Sequence, residues 1–242
     1  MNNIYIPPVV KNLLIINILF FAATWIFMKL EVVDLNNILA VYYFDSPKFK
    51  VWQPITYMFM HGGIAHIFFN MFALYSFGSL LENRWGAKKF IIFYFVTGVG
   101  ALALQWAVQA FEVHQILGSI ISQNKLNFND LYFNTNDNSP MQIKTLYGIY
   151  FGGMVGASGA IFGLLAAFGI LYPNAELLIL FIPVPVKAKY IIPIYILVEL
   201  SLGVAQFQGD SVAHYAHLGG ALIGFILVKI WKDKDTFYTY YE

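Results

Sequence analysis

Six separated apolar runs, each close to the length that crosses a bilayer, leave this chain few folds to choose from. They cover about 13–28, 64–81, 90–111, 156–172, 190–207 and 212–231. About 20 apolar residues in a helix span a hydrocarbon core roughly 30 Å thick. Composition agrees: 59% of residues are hydrophobic and only 11% are charged, which excludes an ordinary soluble domain. The expected fold is an all-α polytopic membrane protein, one six-helix bundle forming a single domain over 1–242. A net charge of +1 gives no reason to expect nucleic acid, and the absence of cysteine removes disulfide and thiolate chemistry. No small-residue cleavage site follows the first run, so it reads as a retained span rather than a signal peptide.

The connections differ in character. Met1 to Lys11 is short, and Pro7-Pro8 is expected to break any helix there. Glu31 to His61 mixes charges with Tyr, Phe and Trp, and is expected to lie along the membrane interface. Glu82 to Lys89 is a charged turn holding the only arginine, Arg84. Residues 112–145, rich in Asn, read as a loop. Leu177 to Val186 is apolar but contains Pro183 and Pro185, so it reads as an interfacial connection.

Six spans place both termini on one side. Nine of the fourteen lysines and arginines, Lys11, Arg84, Lys88 and Lys89 among them, fall on that side. The bias favours cytoplasmic termini. Size and the lack of a presequence lead to a bacterial inner membrane as the expected location.

Spans two, four and six then share a direction, and their N-terminal ends lie at similar depth. Span two carries His66 and Asn70, span four Ser158, and span six His214 and His217. Intramembrane polar groups are costly and usually face a bundle interior or a wet cavity. Gly148, Gly152, Gly153 and Gly156 precede Ser158, and each glycine costs a helix roughly 1 kcal/mol against alanine. A good apolar helix follows, so a helix is expected to start close to Ser158. Its unpaired N–H groups would receive a negative charge there.

Roles follow from chemistry. A serine hydroxyl needs a base, and histidine suits that task. His217 is the best placed, because Ala213, Ala216, Gly220 and Gly224 form a small-residue stripe beside it and Gly156, Gly159 and Gly163 offer another on span four. His66 and Asn70, four apart on one helix face, would donate to an oxyanion, with the Ser158 N–H as a third donor. Asp210 is seven residues before His217, roughly 10 Å along a helix, so no acid completes a triad and a Ser-His dyad is expected. His61 is expected to tie down the interfacial loop, and His214 to support its partner or line the cavity. Glu199 remains open between a gate, a proton carrier and a satisfied interior acid. The histidines lack HExxH or any usual zinc spacing, and neither metal nor cofactor is expected.

Taken together, four motifs resemble the rhomboid family of intramembrane serine proteases. They are His61-Gly62-Gly63 through Asn70, Glu82-Asn83-Arg84-Trp85-Gly86, Gly156-Ala157-Ser158-Gly159 and Ala216-His217-Leu218-Gly219-Gly220. The resemblance covers about residues 40–231. It implies Ser158 as nucleophile, His217 as general base, and His66, Asn70 and the N–H groups of Ser158 and Ala157 as the oxyanion hole. It implies a structural role for Glu82, Arg84 and Gly86, and single-span membrane proteins cut within or near the lipid bilayer as substrates. It also implicates span five in substrate access. Three departures stand out. Trp52-Gln53 replaces the Trp-Arg that many members carry, which bears on how the first loop is anchored. Phe162 replaces a tyrosine that stacks on the histidine, and the loop at 112–145 exceeds the family's minimal core. Two other readings stay open: a non-proteolytic relative that binds transmembrane clients, and a small transporter or metal carrier using Glu199 and the histidines.

Overall fold

The apolar runs fold as helices, and several of their ends are set by groups distant in sequence. The computed structural model describes residues 5–122, 139–179, 182–205 and 213–231. Helix α1 (Pro8–Lys29) begins at the proline pair expected to prevent it. Pro8 occupies the first helical position, where no N–H is needed. The Glu82 carboxylate accepts from the next two N–H groups, Val9 at 2.9 Å and Val10 at 2.8 Å. A buried carboxylate on a helix N-terminus satisfies its unpaired donors and its dipole together.

The interfacial segment holds α2 (Leu35–Leu39), α3 (Gln53–Thr56) and a 3₁₀ turn (Tyr57–Phe59). Gln53 anchors it. The side chain is fully buried, donates to the carbonyls of Ile38 and Lys48 at 3.2 Å each, and accepts from the Lys50 N–H at 3.0 Å. The neutral amide thus ties down a loop that has no arginine at this place.

Helix α4 (Ile64–Ala73) runs through a π turn (Leu74–Gly78) into α5 (Ser79–Trp85), giving one continuous span that ends at Gly86 with φ +78°. Helix α6 (Ala87–Leu117) has 31 residues, about 46 Å at 1.5 Å per residue. It therefore carries helix past residue 112, where a loop was expected, and stops at Gly118 in the left-handed conformation. The far end of that expected loop is helical too. Ser139 and Gln142 form a capping box that starts α7 (Pro140–Phe151). Residues 123–138, Asp210 and the charged tail after Trp231 lie outside the described residues.

Helix α8 (Ser158–Leu171) is the shortest span, at 14 residues or about 21 Å. A two-stranded antiparallel hairpin follows, β1 (Glu176–Ile179) and β2 (Ile182–Lys187), with Leu178 opposite Pro185. Both strands are edges, which is where a sheet tolerates proline. The interfacial connection expected here is therefore a hairpin. Helices α9 (Ala188–Ala205) and α10 (His214–Trp231) complete the bundle. Among the described residues, five helical spans are long and apolar enough to cross a membrane, and α8 is a shorter apolar helix beside them.

Helix α8 sits at the centre, packed backbone to backbone against α10 and against small side chains of α6. A Cβ on Gly220 would overlap the Gly159 carbonyl oxygen, and one on Gly224 would lie 2.6 Å from the Gly163 oxygen. A Cβ on Gly159 would lie 2.5 Å from that of Ala101, and one on Gly163 2.6 Å from that of Thr97. Small residues permit such approach where lipid gives no hydrophobic drive between helices. Large apolar side chains such as Ile18, Leu19, Trp25, Leu197 and Val204 face outward on α1 and α9, as a lipid-facing surface requires.

Candidate active site

Ser158 is placed by the segment before it. Residues Gly152 to Ala157 are non-helical and cross from the loop face into the bundle. Val41 and Met154 exchange hydrogen bonds at 3.0 and 2.8 Å, and the Gly156 N–H donates to the Tyr57 carbonyl at 2.9 Å. Gly156 then turns with φ +134°, a conformation that side chains rarely adopt, and a Cβ there would lie 2.9 Å from His66 Nε2. Irregular backbone at membrane depth is tolerated where it is buried in protein or lines a water-filled cavity.

Helix α8 begins at the serine. Its first intrahelical bond runs from the Ile161 N–H to the Ala157 carbonyl at 3.1 Å, and no side chain caps its N-terminus. The N–H groups of Ser158, Gly159 and Ala160 therefore have no partner within the helix. This open end borders a cavity of about 1570 Å³ lying between α4 and α9, with Phe69, Phe72, Ile191 and Tyr195 on its apolar walls.

Ser158 and His217 meet across this corner. His217 Nε2 lies 2.8 Å from Ser158 Oγ, a hydrogen bond. The imidazole is stacked on Phe162, with centroids 4.3 Å apart and planes 8° from parallel. The phenyl ring thus supplies a flat face without a hydroxyl. His66 stands beside Gly156. Its Nδ1 accepts from the Gly62 N–H at 3.4 Å, a long bond that puts the proton on Nε2, toward the cavity. Buried Asn70 gives one amide hydrogen to the His66 carbonyl at 2.9 Å and holds a second on the same nitrogen, and both residues line the cavity. Ala157 is fully buried at the helix cap.

His61 is buried at the end of the interfacial segment. It packs edge-on against His66 with centroids 5.0 Å apart. Burial, with His66 adding to it, lowers its pKa to about 4, so it is neutral at pH 7.

One partner was not expected. Glu199, on α9, is buried, and its Oε2 lies 2.9 Å from His217 Nδ1 and 2.6 Å from His214 Nδ1. The expectation that no acid reaches His217 therefore fails: the acid comes from the preceding span. A single acid in an apolar run, eighteen residues before the histidine on the next helix, was the signal available. Glu199, His214 and His217 are also a group with ligand-type atoms all within 4.8 Å of one another.

These features define a class: a polytopic helix bundle in which a serine and an imidazole meet at the open N-terminus of a short central helix. The chain belongs to the rhomboid family, whose domain matches residues 48–233. It is 25% identical over 210 residues to an uncharacterized mitochondrial rhomboid protein of Schizosaccharomyces pombe, covering 77% of this chain and 53% of that protein. It is 27% identical over 176 residues to a RHOMBOID-like protein of Arabidopsis thaliana, covering 73% of this chain and 33% of the other. A 65-residue stretch is 37% identical to the rhomboid protease GlpG of Salmonella choleraesuis, covering 27% of this chain and 22% of the protease. The chain thus spans about half, or less, of the length of these curated relatives.

Proposed function

We propose that this chain is an intramembrane serine endopeptidase, one membrane domain that cuts single-span membrane proteins in or near the bilayer. The hydrogen bond between Ser158 Oγ and His217 Nε2, at the open end of α8, carries this reading. The Ser158 oxygen attacks a peptide carbonyl carbon as its proton passes to His217 Nε2. The carbonyl oxygen gains the negative charge. The N–H groups of Ser158 and Ala157, His66 Nε2–H and the second Asn70 amide hydrogen are the donors that answer it. His217 then gives its proton to the departing amine. Water, deprotonated by the same nitrogen, releases the acyl group and restores the serine.

The depth of the site supports a substrate in the membrane. A helix of about 21 Å in a core of about 30 Å leaves its first residue some way below one surface. The cavity lies between α4 and α9, whose outer faces are apolar, so a transmembrane segment could approach from the lipid. The family's relatives include proteins named as mitochondrial and a bacterial protease. The longer matches are to mitochondrial and plant proteins, so the bacterial inner membrane expected from size and the lack of a presequence is unsupported.

The test is labelling of the purified, reconstituted chain with a fluorophosphonate probe, beside cleavage of a single-span reporter. Labelling and cleavage lost in both Ser158→Ala and His217→Ala, with the fold retained, are the expected result. A folded wild type that binds the reporter but neither labels nor cleaves would favour a client-binding protein instead.

A further inference from the structure

An ionised carboxylate can only accept hydrogen bonds, and that restricts what surrounds Glu199. Both contacts to its Oε2 are from Nδ1 atoms, of His217 at 2.9 Å and His214 at 2.6 Å. Each Nδ1 must therefore carry a proton. In neutral His217 this leaves a lone pair on Nε2, the atom 2.8 Å from Ser158 Oγ. The carboxylate thereby selects the one tautomer that can take the serine proton. His214 donates to the same oxygen, and Glu199 is only 4% exposed, so the acceptor is held in place and shielded from water.

We infer that Glu199 is a positioning residue for the reaction, completing a branched chain in which His214 and His217 both donate to one carboxylate and His217 faces Ser158. This rests on the protease reading above. The proton balance is closed within that chain. Ser158 Oγ loses its proton to His217 Nε2, the imidazolium keeps its Nδ1–H on Glu199, and Glu199 stays unprotonated throughout. Charge on the carboxylate stabilises the imidazolium that forms, in a site where water screens little.

The same three side chains could be read as metal ligands. Their spacing argues otherwise. Two donor atoms about 2.0–2.1 Å from a tetrahedral ion stand roughly 3.3 Å apart. The observed 2.6 and 2.9 Å are hydrogen-bond separations.

The experiment compares wild type, Glu199→Gln and Glu199→Asp in reconstituted bilayers, measuring kcat and KM on a single-span reporter and fluorophosphonate labelling rates. Gln keeps the shape and loses the charge; Asp keeps the charge and withdraws it by one methylene. Positioning predicts kcat lower by about 100-fold in Gln and about tenfold in Asp, with KM within about twofold. Labelling should fall in the same order. A packing role predicts the reverse order, because Asp leaves the larger void. Gln as active as wild type, or more active than Asp, would overturn the inference. So would turnover abolished by a chelator and restored by zinc. If the Gln variant unfolds on heating in detergent well below wild type, the Asp variant decides alone, and an unchanged kcat there sinks the proposal. A wild type that neither labels nor cleaves removes the underlying protease reading, a result distinct from all of these.

Discussion

Helix α8 meets two neighbours in opposite ways. Toward α10 it presents glycine, so the backbones touch and no side chain intervenes at Gly159–Gly220 or Gly163–Gly224. Toward α9 it presents side chains: Phe162 against Tyr195 with centroids 5.1 Å apart, and Phe168 clustered with Ile192. Backbone has no rotamers to exchange, whereas side chains can repack. The Ser158–His217 distance is set across the first interface, whereas Glu199 rides on α9, the neighbour that α8 meets through side chains, and reaches His217 on α10. The two halves of the proposed catalytic chain are thus mounted on supports of different stiffness. The cavity lies on the side packed through side chains.

The largest effect should come from spoiling the stiff interface. In Gly220→Ala the added methyl would overlap the Gly159 carbonyl oxygen, and neither backbone can turn away. Overpacking of this kind costs about 1–3 kcal/mol, and more where nothing yields. The upper end of that range is expected, with loss of probe labelling because the serine and imidazole separate. Thermal unfolding in detergent, read beside labelling, checks this. Wild-type stability in that variant would break the comparison, since it would show that the glycine contact has slack.

A smaller effect is expected at Phe162, which belongs to both interfaces through His217 and Tyr195. In Phe162→Ala the imidazole loses its stacking face. An aromatic contact is worth about 0.5–1.5 kcal/mol beyond burial, so kcat should fall about tenfold with KM changed by less than about threefold. Steady-state kinetics on the reporter decides. A fall confined to KM would mean that Phe162 shapes the cavity and does not orient His217.

The stiff half was the more legible half in the sequence. Gly159 and Gly163 against Gly220 and Gly224 could be matched on spacing alone, whereas Gly156 of the same expected stripe stands against His66 instead. The serine at a helix start was legible for a similar reason: glycines end one pattern and an apolar helix begins another. What escaped depended on side chains reaching across the chain. The start of α1 at Pro8 rests on Glu82, more than seventy residues away. The anchoring of the first loop rests on which carbonyls Gln53 meets. Glu199 could be seen as an acid in an apolar run, but not aimed at His217, because its direction is fixed by how α9 lies beside α10. The hairpin escaped because Pro183 and Pro185 mask strand pattern, and proline is tolerated only where a strand edge is free.

The smallest effect comes from pinning α9 where it already touches α8. A Cβ on Gly169 would lie 3.6 Å from that of Ile192, within the range of a disulfide. The chain has no cysteine, so Gly169→Cys with Ile192→Cys introduces a single possible pair. Gly169 is near the end of α8 and Ile192 near the start of α9, about three turns along α8 from Ser158. The bridge would hold that end and leave the Glu199 end of α9 supported by its hydrogen bonds to the two histidines. If α9 yields by swinging about its fixed end, oxidation should leave both labelling and reporter cleavage within about twofold of the reduced protein. It should also add stability, typically about 2–4 kcal/mol for a bridge without strain. If α9 instead shifts as a whole to admit a helix, oxidation should leave probe labelling intact and suppress cleavage, with reductant restoring it. The small probe separates these outcomes because it needs the serine and imidazole but not a widened gap between α4 and α9.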